Sequence, residues 1–163
     1  MIHIVLYQPE IPQNTGNIAR TCAATGSVLD LIKPLGFDIS DKQVKRAGLD
    51  YWHLVTVRVH ESYEAFLAAY PGAELHFFST KAKHVYSEEI YGETPFLVFG
   101  PETRGLPEEL LYKEYDRSVR IPMIAEARSL NLSNSAAVAT FEVLRQRGFD
   151  HLKKDGKLTK FDL

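Results

Sequence analysis

The strongest constraint on the fold is a rhythm: short apolar, β-branched runs alternate with helix-patterned segments, and glycine or proline marks most transitions. Residues 2–7 (IHIVLY) form an apolar strand candidate that stops before Pro9. Asn14 or Thr15 is placed to cap a helix running to about residue 24, with Gly26 as its stop. A second strand spans residues 28–33, ended by Pro34 and Gly36. Asp41 heads a short basic helix through Ala47, stopped by Gly48, and residues 54–59 are strand-like. Residues 62–70 read as a helix that begins at Ser62 and closes at Pro71-Gly72, with Phe66 following Tyr63 at helical spacing. Two further strands cover residues 74–80 and 96–99. Pro107 suits a helix first turn ahead of Glu108 and Glu109, and residues 118–121 form a last short strand. Ser133 then caps the longest helix, which runs to about residue 147 and ends at Gly148, with Val138, Phe141 and Leu144 on its buried side. Beyond Asp150 the apolar content is low, and the chain is expected to trail from the fold.

Strands separated by helices in this order predict an α/β protein, a parallel sheet flanked by helices on both faces. A chain of 163 residues suits one domain, placed at residues 1–150, with a polar, Lys-rich tail at residues 151–163. In such sheets ligands bind beyond the carboxyl ends of the strands. The loops that follow the strands are therefore where chemistry is expected.

Several function classes drop out. Apolar residues make up 45% and charged residues 25%, the balance of a globular protein rather than a disordered one. Apolar runs such as residues 96–99 fall far short of the ~20 residues of a membrane helix. No charged segment followed by an apolar stretch opens the sequence, and Cys22 is its one cysteine, so a reducing, cytoplasmic setting is expected. Nineteen Lys and Arg against 21 Asp and Glu leave a net charge of −2, too little to pull the whole protein toward nucleic acid. Basic side chains nevertheless cluster at Lys42, Lys45 and Arg46, and at Arg117, Arg120 and Arg128. The sequence contains no G-x-G, no phosphate-loop G-x-x-x-x-G-K and no G-x-S-x-G. Its six histidines are scattered without ligand spacing, so no metal is expected. Cys22 lies inside the first helix, where a buried and inert thiol is expected.

Three loops are too polar to serve only as connections. The first, residues 8–20, carries the run PEIPQNTGNIAR and leads into a helix on which Asn17 and Arg20 share a face. Helix N-terminal N–H groups beside an arginine suit a phosphate. The second, FGPETRGLP at residues 99–107, combines two glycines and two prolines around Glu102, Thr103 and Arg104. A stiff loop of this kind exposes backbone N–H and C=O groups to a polar heterocycle. The third, IPMIAEARSLNLSNS at residues 121–135, crowds Ser129, Asn131, Ser133, Asn134 and Ser135 around one helix start.

In this order, EIPQNTGNIAR, FGPETRGLP and IPM…RSLNLSNS resemble the three motifs of the SPOUT class of RNA methyltransferases. Within it the sequence is similar to the minimal TrmL, or YibK, group of tRNA 2′-O-methyltransferases, over residues 1 to about 148. The resemblance implies a parallel sheet whose C-terminal segment threads a loop to form a deep trefoil knot, an arrangement that general topology rules disfavour. It implies S-adenosylmethionine as methyl donor and S-adenosylhomocysteine as product, with a pocket lined by Phe78, Gly100, Glu102, Ile121, Ser129, Leu130 and Asn134. It further implies a homodimer. The substrate would be the anticodon stem-loop of leucine tRNAs, methylated at the ribose 2′-hydroxyl of the wobble cytidine or modified uridine.

The same resemblance assigns catalysis to Arg20, helped by Asn17 and Ser133. A guanidinium has a pKa above ~12 and no acceptor atom. Either Arg20 is deprotonated by an unusual environment, or the adjacent RNA phosphate takes the proton while Arg20 orients it; energetics favour the second. Exposed anticodon bases would meet Lys42, Lys45, Arg46, Tyr51 and Trp52, although packing is the commoner fate of the two aromatic residues. The alternatives are a non-catalytic RNA-binding protein of the same fold, or a 2′-O-methyltransferase acting on another RNA.

Overall fold

The computed structural model describes residues 1–40, 42, 46 and 52–161. The helix expected from Asp41 through Ala47, its stop at Gly48, and the contact candidates Lys45, Tyr51 and the Trp52 side chain lie outside the described residues. Strand β1 (His3–Tyr7) leads into α1 (Pro12–Thr25), then β2 (Val28–Ile32) and β3 (Val57–His60). Helix α2 (Tyr63–Ala69), β4 (Glu74–Phe78), the two-residue β5 (His84–Val85) and β6 (Pro95–Phe99) follow. The chain continues through α3 (Glu108–Lys113), β7 (Ser118–Arg120) and α4 (Leu132–Gln146).

The strands form one seven-stranded sheet in the order β3-β2-β1-β6-β4-β7-β5, with every pairing parallel. Register explains its two faces, because alternate residues of a strand point to opposite sides. Ile4 lies beside Leu29 and Leu97, and Leu6 beside Leu31 and Phe99; these side chains join Ile18, Ala19 and Cys22 of α1 and Ala136, Ala139, Val143 and Leu144 of α4. Val5 and Val98 face the other way and pack with Phe66 of α2 and Leu111 of α3. Strands covered on both faces read as continuous apolar runs, as β6 does, and as β1 and β2 do apart from His3 and Asp30.

Buried polar residues interrupt this core, and three of them, His3, Asp30 and His60, meet in one cluster. Asp30, in the middle of β2, is fully buried. Its carboxylate accepts hydrogen bonds from His3 Nδ1 (2.7 Å), His60 Nε2 (2.7 Å) and the Tyr70 hydroxyl (2.8 Å). Burial pushes the Asp30 carboxyl up, but the bonds from His3, His60 and Tyr70 outweigh it and leave its pKa lowered.

Several local expectations are corrected. Helix α1 begins at Pro12, and neither Asn14 nor Thr15 caps it; both are buried within its first turns. The backbone N–H groups of Glu10 and Ile11 are instead met by the carboxylate of Glu102, far along the chain. Asn131, not Ser133, caps α4, accepting from the N–H groups of Ser133 and Asn134. The buried side of α4 is Ala136, Ala139, Thr140, Val143 and Leu144, while Val138 and Phe141 are 38% and 46% exposed. Small residues let α4 lie close against α1, so that side of the helix turns inward. The strand expected at residues 54–59 starts later, after a 3₁₀ turn at Trp52–Leu54. Ser62, expected as the first helical residue, instead caps α2, accepting from Ala65 N at 3.1 Å. Past Gly148 the chain first folds back: Phe149 and Leu152 pack on the core, and the His151 ring meets the Thr25 carbonyl at 3.1 Å.

Candidate active site

The strand order reverses between β1 and β6: β2 and β3 lie on one side, β6 and β4 on the other. Loops leaving a sheet at such a switch point diverge and open a crevice. Here the segments after β1, β4, β6 and β7 border one cleft of about 560 Å³. That volume lies within the ~300–1,000 Å³ range of small-molecule sites. The Phe78 and Phe99 rings, stacked with centroids 4.7 Å apart, form part of its apolar lining together with Leu106, Ile121 and Leu130. Ser79, Thr80, Ser129 and Asn131 supply the polar lining, and Arg104 and Arg128 add positive charge.

The second loop is shaped by its glycines. Gly105 adopts φ +70° and donates its N–H to the Pro101 carbonyl at 2.9 Å. A Cβ on Gly100 would fall onto the backbone of Gly105 and Leu106, so Gly100 serves the closure of the loop itself. Gly100→Ala is therefore expected to open the loop, lowering the melting temperature and weakening ligand binding in the cleft by about tenfold or more. Calorimetry of the variant with a bound ligand checks both effects.

The first and second loops grip each other with reciprocal carboxylates. Glu102 accepts from Glu10 N (2.8 Å), Ile11 N (3.0 Å) and Asn14 Nδ2 (3.2 Å). In return, Glu10 accepts from the Thr103 hydroxyl at 2.8 Å and the Thr103 N–H at 3.3 Å. Arg104 Nη2 donates to Gln8 Oε1 at 3.0 Å. The third loop joins through Asn131, whose Nδ2 donates to Asn14 Oδ1 at 3.0 Å.

Of the side chains expected at a cofactor pocket, Phe78, Gly100, Glu102, Ile121, Ser129 and Leu130 all border the cleft. Asn134 does not; its backbone N–H is held in the Asn131 cap. Arg20, Asn17 and Ser133 also stand outside the cleft lining. Arg20 and Asn17 are exposed on α1, and the Ser133 hydroxyl donates to Asn131 Oδ1 at 2.6 Å. Sequence reasoning missed Asn14 by reading it as a helix cap. Its neighbour Glu10 carried no local signal, since its partner Thr103 is 93 residues away.

Cys22 offers no nucleophile. It is buried in α1, and burial pushes its thiol up to about 12. Among the described residues, no group of three or more His, Cys, Asp or Glu side chains is placed to hold a metal ion. Among the same residues, no helix is long and apolar enough to cross a membrane.

Comparison with known proteins agrees with this geometry. The tRNA (cytidine(34)-2′-O)-methyltransferase of Methylovorus glucosotrophus is 53% identical over 150 residues, covering 91% of this chain and 97% of that protein. A solved structure described as giving insights into the 2-OH methylation of C/U34 on tRNA superposes with a TM-score of 0.87 at 51% identity, over 91% of this chain and 97% of the other. An AdoMet-bound rRNA methyltransferase from Sinorhizobium meliloti has a TM-score of 0.80 at 26% identity, over 89% of this chain and 56% of its own. Residues 1–141 match the SpoU rRNA Methylase family, and the chain belongs to it.

Proposed function

We propose that this protein transfers a methyl group from S-adenosylmethionine to the ribose 2′-hydroxyl of the wobble cytidine or modified uridine in leucine tRNAs. The observation that carries this reading is the cleft at the sheet's switch point, bordered by all three motif loops at once. The names of its relatives, which place their methylation at tRNA position 34, support the substrate. The AdoMet-bound neighbour supports the donor.

The cleft suits that donor by the chemistry of its lining. Aromatic and aliphatic groups (Phe78, Leu106, Ile121, Leu130) would cover an adenine and its sulfonium-bearing arm, while the backbone of residues 100–105 and Ser129 would meet its polar edges. When bound, the donor supplies an electrophilic methyl on a sulfonium. What the protein adds is alignment of a ribose oxygen with that methyl, worth up to about 7–11 kcal/mol in the best cases. The oxygen must lose its proton as it attacks. Arg20 has five donors and no acceptor, so it orients the neighbouring RNA phosphate, which takes the proton, and stabilises developing charge. Asn17, on the same face of α1, helps place the ribose or phosphate, and Ser133 and Asn134 complete the surroundings.

The active unit in this reading is a homodimer of one domain, residues 1–150, with residues 151–163 as a tail. A single chain leaves Arg20 and Asn17 outside its own cleft and exposes the apolar Val138 and Phe141 on α4, and a second copy would answer both. The trefoil knot belongs to the same reading. The third loop runs from β7 to Asn131, beside the first and second loops, where threading would bring it.

The test incubates the purified protein with labelled S-adenosylmethionine and bulk tRNA from cells lacking this gene, then digests the RNA for mass spectrometry. A 2′-O-methylated pyrimidine mapped to the wobble position of leucine tRNAs is the expected result. Label confined to other positions or other RNAs would overturn the substrate, and failure to bind the donor would overturn the reaction.

A further inference from the structure

We infer that Asn14 is a positioning residue: its carboxamide is the middle link of a hydrogen-bond chain that holds the helix bearing Arg20 in register with the cleft. The inference rests on methyl transfer at the cleft as proposed above. It starts from a polarity argument. The Glu102 carboxylate can only accept, and it already takes the N–H groups of Glu10 and Ile11, so Asn14 must present its Nδ2. That leaves Asn14 Oδ1 as an acceptor, which Asn131 Nδ2 fills at 3.0 Å. Asn131 in turn must present Oδ1 to the other side, where the N–H groups of Ser133 (2.9 Å) and Asn134 (3.3 Å) and the Ser133 hydroxyl (2.6 Å) all donate to it.

The chain thus runs from a pure acceptor, Glu102, to the backbone N–H donors of Ser133 and Asn134 at the start of α4. Both amides between them have only one orientation that works, because turning either over would set donor against donor or acceptor against acceptor. Links spanning 88 and 117 residues of sequence tie the three motif loops into one unit. Asn14 is 6% exposed, so water cannot readily replace a lost link. A buried polar chain satisfied throughout is rigid, and one that loses a member loosens as a whole. Asn14 lies six positions before Arg20 on α1, about 9 Å along the axis of a stiff helix. A shift at Asn14 therefore carries to Arg20 and Asn17. Asn14, Glu102 and Asn131 themselves border the cleft, but its apolar wall is carried by the stacked Phe78 and Phe99 rings, so losing a link slows transfer more than it weakens ligand binding.

Two near-isosteric variants separate positioning from plain stability. Asn131→Asp keeps the oxygen that caps α4, where Asp ranks with Asn, but it cannot donate to Asn14. Asn14→Asp still accepts from Asn131 but sets a second carboxylate against Glu102. In both, turnover at saturating donor and tRNA should fall about tenfold to a hundredfold, and S-adenosylhomocysteine affinity, because Asn14 and Asn131 border the cleft, by a smaller factor of about threefold to fivefold. The melting temperature of Asn131→Asp should stay within roughly 3 °C of the parent. In the ligand-free proteins, amide deuterium uptake should rise across residues 10–20 and 131–135. Full turnover in both variants, or a loss of turnover matched by an equal loss of S-adenosylhomocysteine binding, would overturn the inference. Should the parent protein itself methylate no tRNA, the proposed function fails. Deuterium uptake then still decides whether the chain exists, since unchanged protection in Asn14→Asp would remove it.

Discussion

Arg20→Lys is expected to lose methyl transfer by about a hundredfold or more while still binding S-adenosylmethionine, because the cleft lining does not include Arg20. Lysine keeps the positive charge but not the planar fork of donors. If the arginine orients a phosphate that takes the ribose proton, a point charge cannot hold that phosphate in one pose, and turnover falls with donor affinity preserved. Binding of the donor by calorimetry, set beside single-turnover methylation of tRNA, separates the two effects. Near-normal turnover in Arg20→Lys would remove the guanidinium from the mechanism. The comparison also informs on assembly. Arg20 stands outside its own chain's cleft, so mixing Arg20→Lys with a cleft-defective Gly100→Ala protein asks whether active sites are shared between copies. Recovered activity in the mixture is expected if they are.

The second large effect concerns stability, far from the cleft. Asp30→Ala should cost about 3–5 kcal/mol, the range for removing one partner from a buried polar cluster. Three donors, from His3, His60 and Tyr70, would lose their common acceptor inside the sheet's α2–α3 side. The lowered Asp30 pKa also fixes the sign of a pH effect. A carboxylate whose folded pKa lies below its unfolded value stabilises the protein above the unfolded pKa, and that contribution is lost as pH falls through the folded one. The parent protein should therefore lose stability more steeply than Asp30→Asn between about pH 5 and about pH 3. Urea titrations across that window measure the difference, and parallel curves for the two proteins would show that Asp30 is not the group responsible.

How much of this was legible in advance depended on the range of the interaction concerned. Gly26 as the stop of α1 and a helix over residues 62–70 were readable, because each signal acts on atoms within a few residues of itself. The caps of α1 and α4 were misread for the opposite reasons. Glu102 reaches the start of α1 from about ninety residues away, and two candidate caps, Asn131 and Ser133, stand two positions apart at α4. The two-residue β5 left no periodicity to detect. On α4, Val138 and Phe141 looked like core because they are large and apolar; the side that turned inward carries alanines, which allow a close approach to α1.

Hydrophobic periodicity, set by the fixed repeats of strand and helix, was enough by itself to determine a parallel sheet with helices on both faces and to mark the loops that end at its carboxyl edge. Motif residues likewise named most of the cleft lining, since Phe78, Gly100, Glu102, Ile121, Ser129 and Leu130 all border it. Only the tertiary structure decided what those residues do to one another. That Glu10 and Glu102 grip each other's loops, that Asn14 bridges to Asn131, and that Asp30 gathers two histidines and a tyrosine all depend on hydrogen bonds across sequence separations of 27 to 117 residues. The direction of such a bond is set by which donor and acceptor the fold brings within 3 Å, and no local pattern encodes that meeting.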